Sequence, residues 1–312
     1  MIWLIGSNGQ LGSEVAKLLD HKKYIWTGTN SEVDISDWDQ ICNFEKKIET
    51  ESYYPSAIDH YEREIKWIIN CAAYNDVEGA EDNLELATAV NFVGPTNISR
   101  LCRKIGAKLI HISSDYVFNG ITNRPYTEKI IKSPINNYGM TKAEGENSIE
   151  KEMVQYYIIR TSWLYGKNGS NFVTKMLDRF NTEPFVNVVN DQIGSPTSAE
   201  DLALAIIKLI EKSDNAKEII GPKSAPAFGV YNFSDAGEVS RFEFAKEIYK
   251  LGKKHGLIKN NCEIEGISSK EIKQKALRPK YSVLDCSKIS KELKLKIPNW
   301  KSSLDKYLKS LR

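Results

Sequence analysis

Gly6-Ser7-Asn8-Gly9-Gln10-Leu11-Gly12 follows directly on the apolar run Met1-Ile2-Trp3-Leu4-Ile5, and this junction decides the fold. Three glycines that open a helix just behind a short buried strand let the backbone turn tightly. They also bring amide groups and the positive helix end to a pyrophosphate. The loop heads a strand-helix-strand unit, the context that separates a dinucleotide site from a plain turn. Gly6, Gly9 and Gly12 shape it, and Asn8, Gln10 and Leu11 are expected to line the diphosphate.

Outward from this loop, short apolar runs alternate with helical-period segments. Ile2 to Ile5, Tyr24 to Thr27, Trp67 to Asn70, Lys108 to Ile112 and Val154 to Arg160 read as buried strands. Gln10 to Leu19, Asp37 to Ile48, Leu84 to Ile105 and Tyr138 to Glu150 read as helices between them. Strict alternation of this kind predicts an α/β chain built on a Rossmann-type, doubly wound parallel sheet. The stretch 49–64 is polar and reads as a surface excursion with no function attached.

After Tyr165 the rhythm changes. A helix is expected over Ser170 to Phe180, a strand over Phe185 to Val189 and a helix over Ala199 to Glu211. A break follows at Gly221 to Pro226, then a helix from Ser240 to Lys253 with Ser240 as N-cap, and a last helix after Pro298. Residues 1–165 are therefore expected to bind the dinucleotide, rejoined by part of 185–220. Residues 166–312 are expected to form mainly a smaller α/β substrate lobe.

The bulk numbers narrow the function. The chain has 312 residues, 41% hydrophobic and 27% charged, enough for one large core and a second lobe. A net charge of +2 gives no global field for nucleic acid or an anionic membrane, and no apolar run approaches the about 18 residues of a membrane span. The five cysteines are scattered without CxxC spacing, which argues against disulfides or structural zinc and fits a reducing cytoplasm. The four histidines do not cluster either, and His111 reads as a structural strand residue.

The chemistry sits at the end of the fourth strand. Ser113-Ser114-Asp115-Tyr116 falls at the carboxyl edge of the sheet, where open α/β sheets bind ligands. Downstream, Tyr138-Gly139-Met140-Thr141-Lys142 places a phenol and an ammonium four residues apart, on one helix face. Ser114 is expected to hydrogen-bond a substrate oxygen and Tyr138 to give it a proton as hydride reaches the carbon. Lys142 is expected to hold the nicotinamide ribose and lower the Tyr138 pKa. Tyr249 and Lys253 repeat the spacing without an upstream Ser or Thr, and read as surface helix.

The second strand ends Trp26-Thr27-Gly28-Thr29-Asn30, with neither the acid that grips a ribose 2′-hydroxyl nor an Arg for a 2′-phosphate. NADPH or dual use with NADH is the expectation. Asp34 and Ile35 are expected to flank the adenine, with a helix-entry role as the alternative for Asp34.

Taken together, these residues resemble the extended short-chain dehydrogenases and, within them, the dTDP-4-dehydrorhamnose reductase family. The resemblance covers nearly the whole chain. It includes Asn70 to Tyr74, Val90-Asn91, His111 to Gly120, Arg160 to Gly166, Asp191 to Thr197 and Arg278 to Asp285 besides the glycine loop and Tyr138 to Lys142. It implies reduction of the C4 ketone of dTDP-4-dehydro-β-L-rhamnose by NADPH or NADH. A related 4-keto-6-deoxy sugar-nucleotide reductase of other stereochemistry, or a non-catalytic NADP-binding regulatory subunit, stands as the alternative. It also implies that Ala72, Ala73 and Tyr74 border the cofactor and that Asn91 supports the site. Around the dTDP-sugar it places Ser114, Asp115, Tyr116, Tyr138, Trp163, Asn171, Gln192, Ser195 and Thr197, with Arg278 at the diphosphate. Mg²⁺ between subunits of a homodimer is a further implication, with Glu14 and Glu200 as its candidates.

Overall fold

The computed structural model describes residues 1–50, 64–215 and 225–312. The chain runs β1 (Ile2–Ile5), α1 (Gln10–His21), β2 (Trp26–Thr29), α2 (Trp38–Thr50), β3 (Trp67–Asn70), α3 (Gly79–Asp82), α4 (Leu84–Thr88), α5 (Gly94–Ile105) and β4 (Lys108–Ser114). It continues through α6 (Asn137–Glu152), β5 (Tyr156–Thr161), β6 (Leu164–Tyr165), α7 (Phe172–Thr182), β7 (Phe185–Val189), β8 (Ile193–Gly194), β9 (Thr197–Ser198) and α8 (Ala199–Asn215). β10 (Gly229–Asn232), β11 (Val239–Ser240), α9 (Arg241–Lys254), β12 (Glu263–Ile267), α10 (Ser287–Leu293) and α11 (Trp300–Lys309) complete it. Most of the 49–64 excursion and of the break at 221–226 lies outside the described residues.

Six strands form one parallel sheet in the order β10-β5-β4-β3-β1-β2. Both faces are covered, which is why the strands are apolar throughout rather than alternating. Ile2 and Leu4 face one side, packed with Val15 and Leu19 of α1 and Leu202 and Ile206 of α8. Trp3 and Ile5 face the other, packed with Ile41 of α2 and Ile98 and Leu101 of α5. Each such side chain contributes roughly 1.5–3 kcal/mol by leaving water. The chain leaves β1 for β2 on one side and returns to β3 on the other, so a crevice opens at the carboxyl ends of β1 and β3.

Several boundaries differ from the sequence reading. β2 begins at Trp26, not Tyr24, because the register pairs Ile2 with Trp26. β4 and β5 run on to Ser114 and Thr161, still hydrogen-bonded as a pair. The single helix expected over Leu84 to Ile105 is broken by a π-helical turn at Ala89–Val93. Pro95 has no N–H to offer the Asn91 carbonyl one turn back, so the α pattern cannot pass through it. α7 starts at Phe172 because Asn171 caps it.

From the stretch 185–220, α8 returns to the sheet, but the edge strand that completes the sheet is β10 at 229–232. The second lobe pairs β7 with β12 and packs α7, α9 and α11 around Phe180, Phe244 and Leu304. Residues 281–285 stitch the two parts together. The Tyr126 amide donates to the Val283 carbonyl, Asp285 N–H to the Tyr126 carbonyl, and Ser282 N–H to the Ile193 carbonyl. No helix among the described residues is long and apolar enough to cross a membrane.

Candidate active site

The glycine loop is built for close approach. Gly6 has φ +78°, a left-handed conformation that favours glycine, and a Cβ there would lie 2.9 Å from the Ala72 amide nitrogen. A Cβ on Gly12 would overlap the Gly6 carbonyl oxygen. The loop is tied to β2 by Gly6 N–H donating to the Thr29 carbonyl (2.7 Å) and by Asn8 N–H donating to Asn30 Oδ1 (2.8 Å). Gln10 Oε1 is buried with no partner. The side-chain-free glycine backbone and the N-terminus of α1 behind it fit a dinucleotide diphosphate.

Ala72 N–H donates to Asn70 Oδ1, and Asn91 clamps Tyr74 by accepting from its N–H (2.9 Å) and donating to its carbonyl (3.1 Å). Asn91 thereby fixes the loop after β3, and Ala73 on that loop lines the cleft. Asp34 instead makes a turn, accepting from the Ser36 N–H and hydroxyl. Ile35 is buried beside Gly94.

A cleft of about 320 Å³ extends from Gly9 and Gln10 across the ends of β4 and β5 to the second lobe. Ser114, Tyr138 and Lys142 all line it. The Tyr138 hydroxyl is hydrogen-bonded to Ser114, and its ring meets Tyr116 edge-on at 5.5 Å. Burial pushes the Tyr138 phenol above its ordinary value; the Ser114 bond opposes this, while Asp115 and Tyr116 add to it. The expected lowering by Lys142 is not what this geometry gives. The Lys142 ammonium donates to the Ile112 carbonyl at 2.7 Å, and its own burial pulls its pKa down to about 8, against the pull of Glu146.

Tyr138, Lys142 and Glu146 form one stripe at four-residue spacing on α6. Glu146 is fully buried and accepts from Arg160 Nε (2.9 Å) and Nη2 (2.7 Å) and from the Ser113 hydroxyl (2.6 Å). This two-pronged ion pair bolts α6 to the ends of β4 and β5 and holds the helix face of Tyr138 and Lys142 in place. His111, next to it in the sheet, is a buried strand residue against Asn70. The Tyr249 and Lys253 copy behaves differently: Tyr249 accepts from the Cys262 amide and Lys253 donates to the Lys259 carbonyl.

Asp115 and Tyr116 behind β4, and Trp163, Asn171 and Arg278, also line the cleft. The Asn171 amide is already committed, accepting from Thr174 N–H and donating to the Gly166 carbonyl. Gln192, Ser195 and Thr197 do not reach the lining. Gln192 is buried, Ser195 donates to the Gly237 carbonyl, and Thr197 Oγ1 accepts from Thr161, so these side chains build the wall behind the cleft. Arg278 is half-buried, paired with Glu78 at 2.9 Å and bonded to Tyr116.

Sequence reasoning missed Arg241. Its guanidinium lines the cleft, 3.7 Å over the Trp163 indole and 4.9 Å over the Phe172 ring. Trp163 lies flat against Gly194, where a Cβ would come within 2.6 Å of the indole, and its own φ is +47°. Burial pulls Arg241 down to about 10, Tyr116 and Asp115 opposing and Arg278 adding to the effect. A signal existed. Arg241 is the first residue of α9, where a cation opposes the helix dipole and needs another reason to be there.

Glu14 and Glu200 hold Lys17 and Lys306 at 2.7 Å each, and no cluster of three or more metal-ligating side chains occurs among the described residues. These carboxylates are a poor fit to a divalent cation as placed.

The whole chain, residues 1–312, matches the family model described as RmlD substrate binding domain. The chain belongs to that family. A dTDP-4-dehydrorhamnose reductase of Streptomyces griseus is 34% identical over 97% of this chain and 91% of its own length. A dTDP-4-keto-6-deoxy-D-glucose reductase of Streptomyces niveus is 32% identical over 90% of this chain and 88% of its own. The solved dTDP-4-dehydrorhamnose reductase of Bacillus anthracis in complex with NADP shares the fold with a TM-score of 0.83. It is 33% identical, covering 98% of this chain and 97% of that one. Members of the RmlD family thus share with this chain the sheet and lobe arrangement that forms the cleft.

Proposed function

We propose that this chain reduces the C4 ketone of dTDP-4-dehydro-β-L-rhamnose to dTDP-L-rhamnose, with NADPH as the preferred reductant and NADH as its substitute. The observation that carries this is one cleft lined by Ser114, Tyr138 and Lys142 together with Arg241 and Arg278. The bound cofactor supplies the hydride. Tyr138, kept protonated by burial, gives its proton to the carbonyl oxygen that Ser114 steadies. Lys142 and the Gly6 loop hold the ribose and diphosphate of the cofactor. The two guanidiniums hold the diphosphate of the sugar nucleotide, and Trp163 gives the sugar an apolar wall. The absence of an acid at the end of β2 supports NADPH, as does the NADP bound by the Bacillus anthracis relative. A cytoplasmic setting and a homodimer belong to this same reading.

The Streptomyces niveus relative favours a second reading, a reductase that delivers hydride to the ketone of a differently configured 6-deoxy sugar. Incubation with dTDP-4-dehydrorhamnose and either NADPH or NADH, with the product epimer identified by NMR, decides between them. dTDP-L-rhamnose is the expected product; the C4 epimer overturns the first reading.

A further inference from the structure

Ser114 has one proton to give, and it is in use. Its hydroxyl donates to Asp115 Oδ1 at 3.0 Å, accepts from the Tyr116 N–H at 3.2 Å, and bonds the Tyr138 hydroxyl. A ketone oxygen entering the cleft is an acceptor and needs the Ser114 proton. That proton points at Asp115 as long as Asp115 is a carboxylate, because a charge-assisted bond outweighs a neutral one.

Asp115 is 1% exposed, and its second oxygen, Oδ2, is buried without a partner. A bare carboxylate oxygen out of water is costly, whereas a carboxylic acid there is not. We propose that Asp115 is a positioning residue which, as the acid, donates its hydrogen to Ser114 Oγ and so frees the Ser114 proton for the substrate carbonyl. Asp115 keeps its proton throughout; the proton that ends on the substrate oxygen is that of Tyr138. The proposal rests on the carbonyl-reductase reading above.

The surroundings agree. Burial pushes Asp115 up to about 6, with the nearby Ser282 hydroxyl, the Ser114 bond and the Arg241 charge opposing. The groups facing it are the Tyr116 and Tyr138 phenols, the Ser282 hydroxyl from the 281–285 segment and the Arg241 guanidinium from α9. Only Arg241 among these is charged near neutrality. An anionic substrate seated on Arg241 offsets that charge and tips Asp115 further toward the acid. Substrate binding and the turning of Ser114 are thereby linked.

The test is the pH dependence of the wild type and three variants. For the wild type, kcat/KM reports the free enzyme and falls about tenfold per pH unit above the Asp115 pKa, toward a plateau, and the same limb in kcat lies at higher pH. Asp115→Asn, whose amide donates to Ser114 at every pH, loses this limb. Asp115→Ala has kcat depressed at all pH with KM little moved. Ser282→Ala, which does not touch Ser114, shifts the limb to higher pH. A limb that survives unchanged in Asp115→Asn, or stays put in Ser282→Ala, overturns the proposal. Independently of substrate, the infrared difference between wild type and Asp115→Asn at pH 5 shows a protonated carboxyl stretch. Its absence also overturns the proposal, whereas failure to turn over the keto sugar overturns only the reaction assigned above.

Discussion

The Arg241 guanidinium lies 3.7 Å over the Trp163 indole, a cation on an aromatic face in the lining of the cleft. Stacking holds the guanidinium flat and leaves its N–H edge free for an anion. Arg241→Ala is expected to raise KM for the sugar nucleotide about 10–100-fold, the range for a charged hydrogen bond worth about 1.5–3 kcal/mol, with kcat little changed. Arg241→Lys recovers only part of this, since an ammonium neither stacks nor forks. Steady-state kinetics with both variants checks it.

Tyr138→Phe removes the hydroxyl proposed as proton donor and leaves the ring against Tyr116. Turnover is expected to fall about 10²–10⁴-fold while NADPH still binds, as measured by cofactor fluorescence. Unchanged NADPH oxidation in this variant would remove Tyr138 from the mechanism.

Glu146→Gln keeps the shape of the side chain but strands Arg160 without a counter-charge. Breaking a buried pair in this way costs about 3–5 kcal/mol, read as a lower Tm in calorimetry. The pH dependence follows. Burial works against ionisation, but the bonds and charge of Arg160, with Lys132 and Ser113, hold the Glu146 pKa below its ordinary 4.5. A carboxylate depressed on folding stabilises fully above its unfolded pKa and loses that contribution as pH falls through the folded one. The wild type is therefore expected to lose stability below about pH 4.5 more steeply than Glu146→Gln, by denaturant titration.

Gly12→Ala places a methyl on the Gly6 carbonyl oxygen. Backbone cannot give way as a side-chain tip can, so the loop must open. The expected result is loss of NADPH binding by calorimetric titration, with a stability cost of at least about 1–3 kcal/mol.

The Rossmann-type sheet was legible because buried strands and covering helices write their periods into neighbouring residues: Trp67 to Asn70 falls where its sequence places it, as does Phe185 to Val189 in the second lobe. The shared face of Tyr138 and Lys142 was legible for the same reason, since it follows from local helix geometry alone. The π-helical turn at Ala89–Val93 was not, although Pro95 signalled an interruption. Asn171 and Thr197 were identified by motif, but a motif does not say whether an amide or hydroxyl faces the cleft or ties the framework behind it.

By itself, the sequence determined the alternation of strand and helix, the glycine loop directly behind the first strand, and the order Ser114, Tyr138, Lys142. These depend on spacings of a few residues, where bond geometry dictates the result. Only the tertiary structure decided that Arg241 joins Arg278 in one cleft, that Glu146 and Arg160 anchor the catalytic helix, and that Ser282 stands beside Asp115. Those neighbours lie on different elements, and the distances between elements are set by how whole faces pack, which no local spacing records.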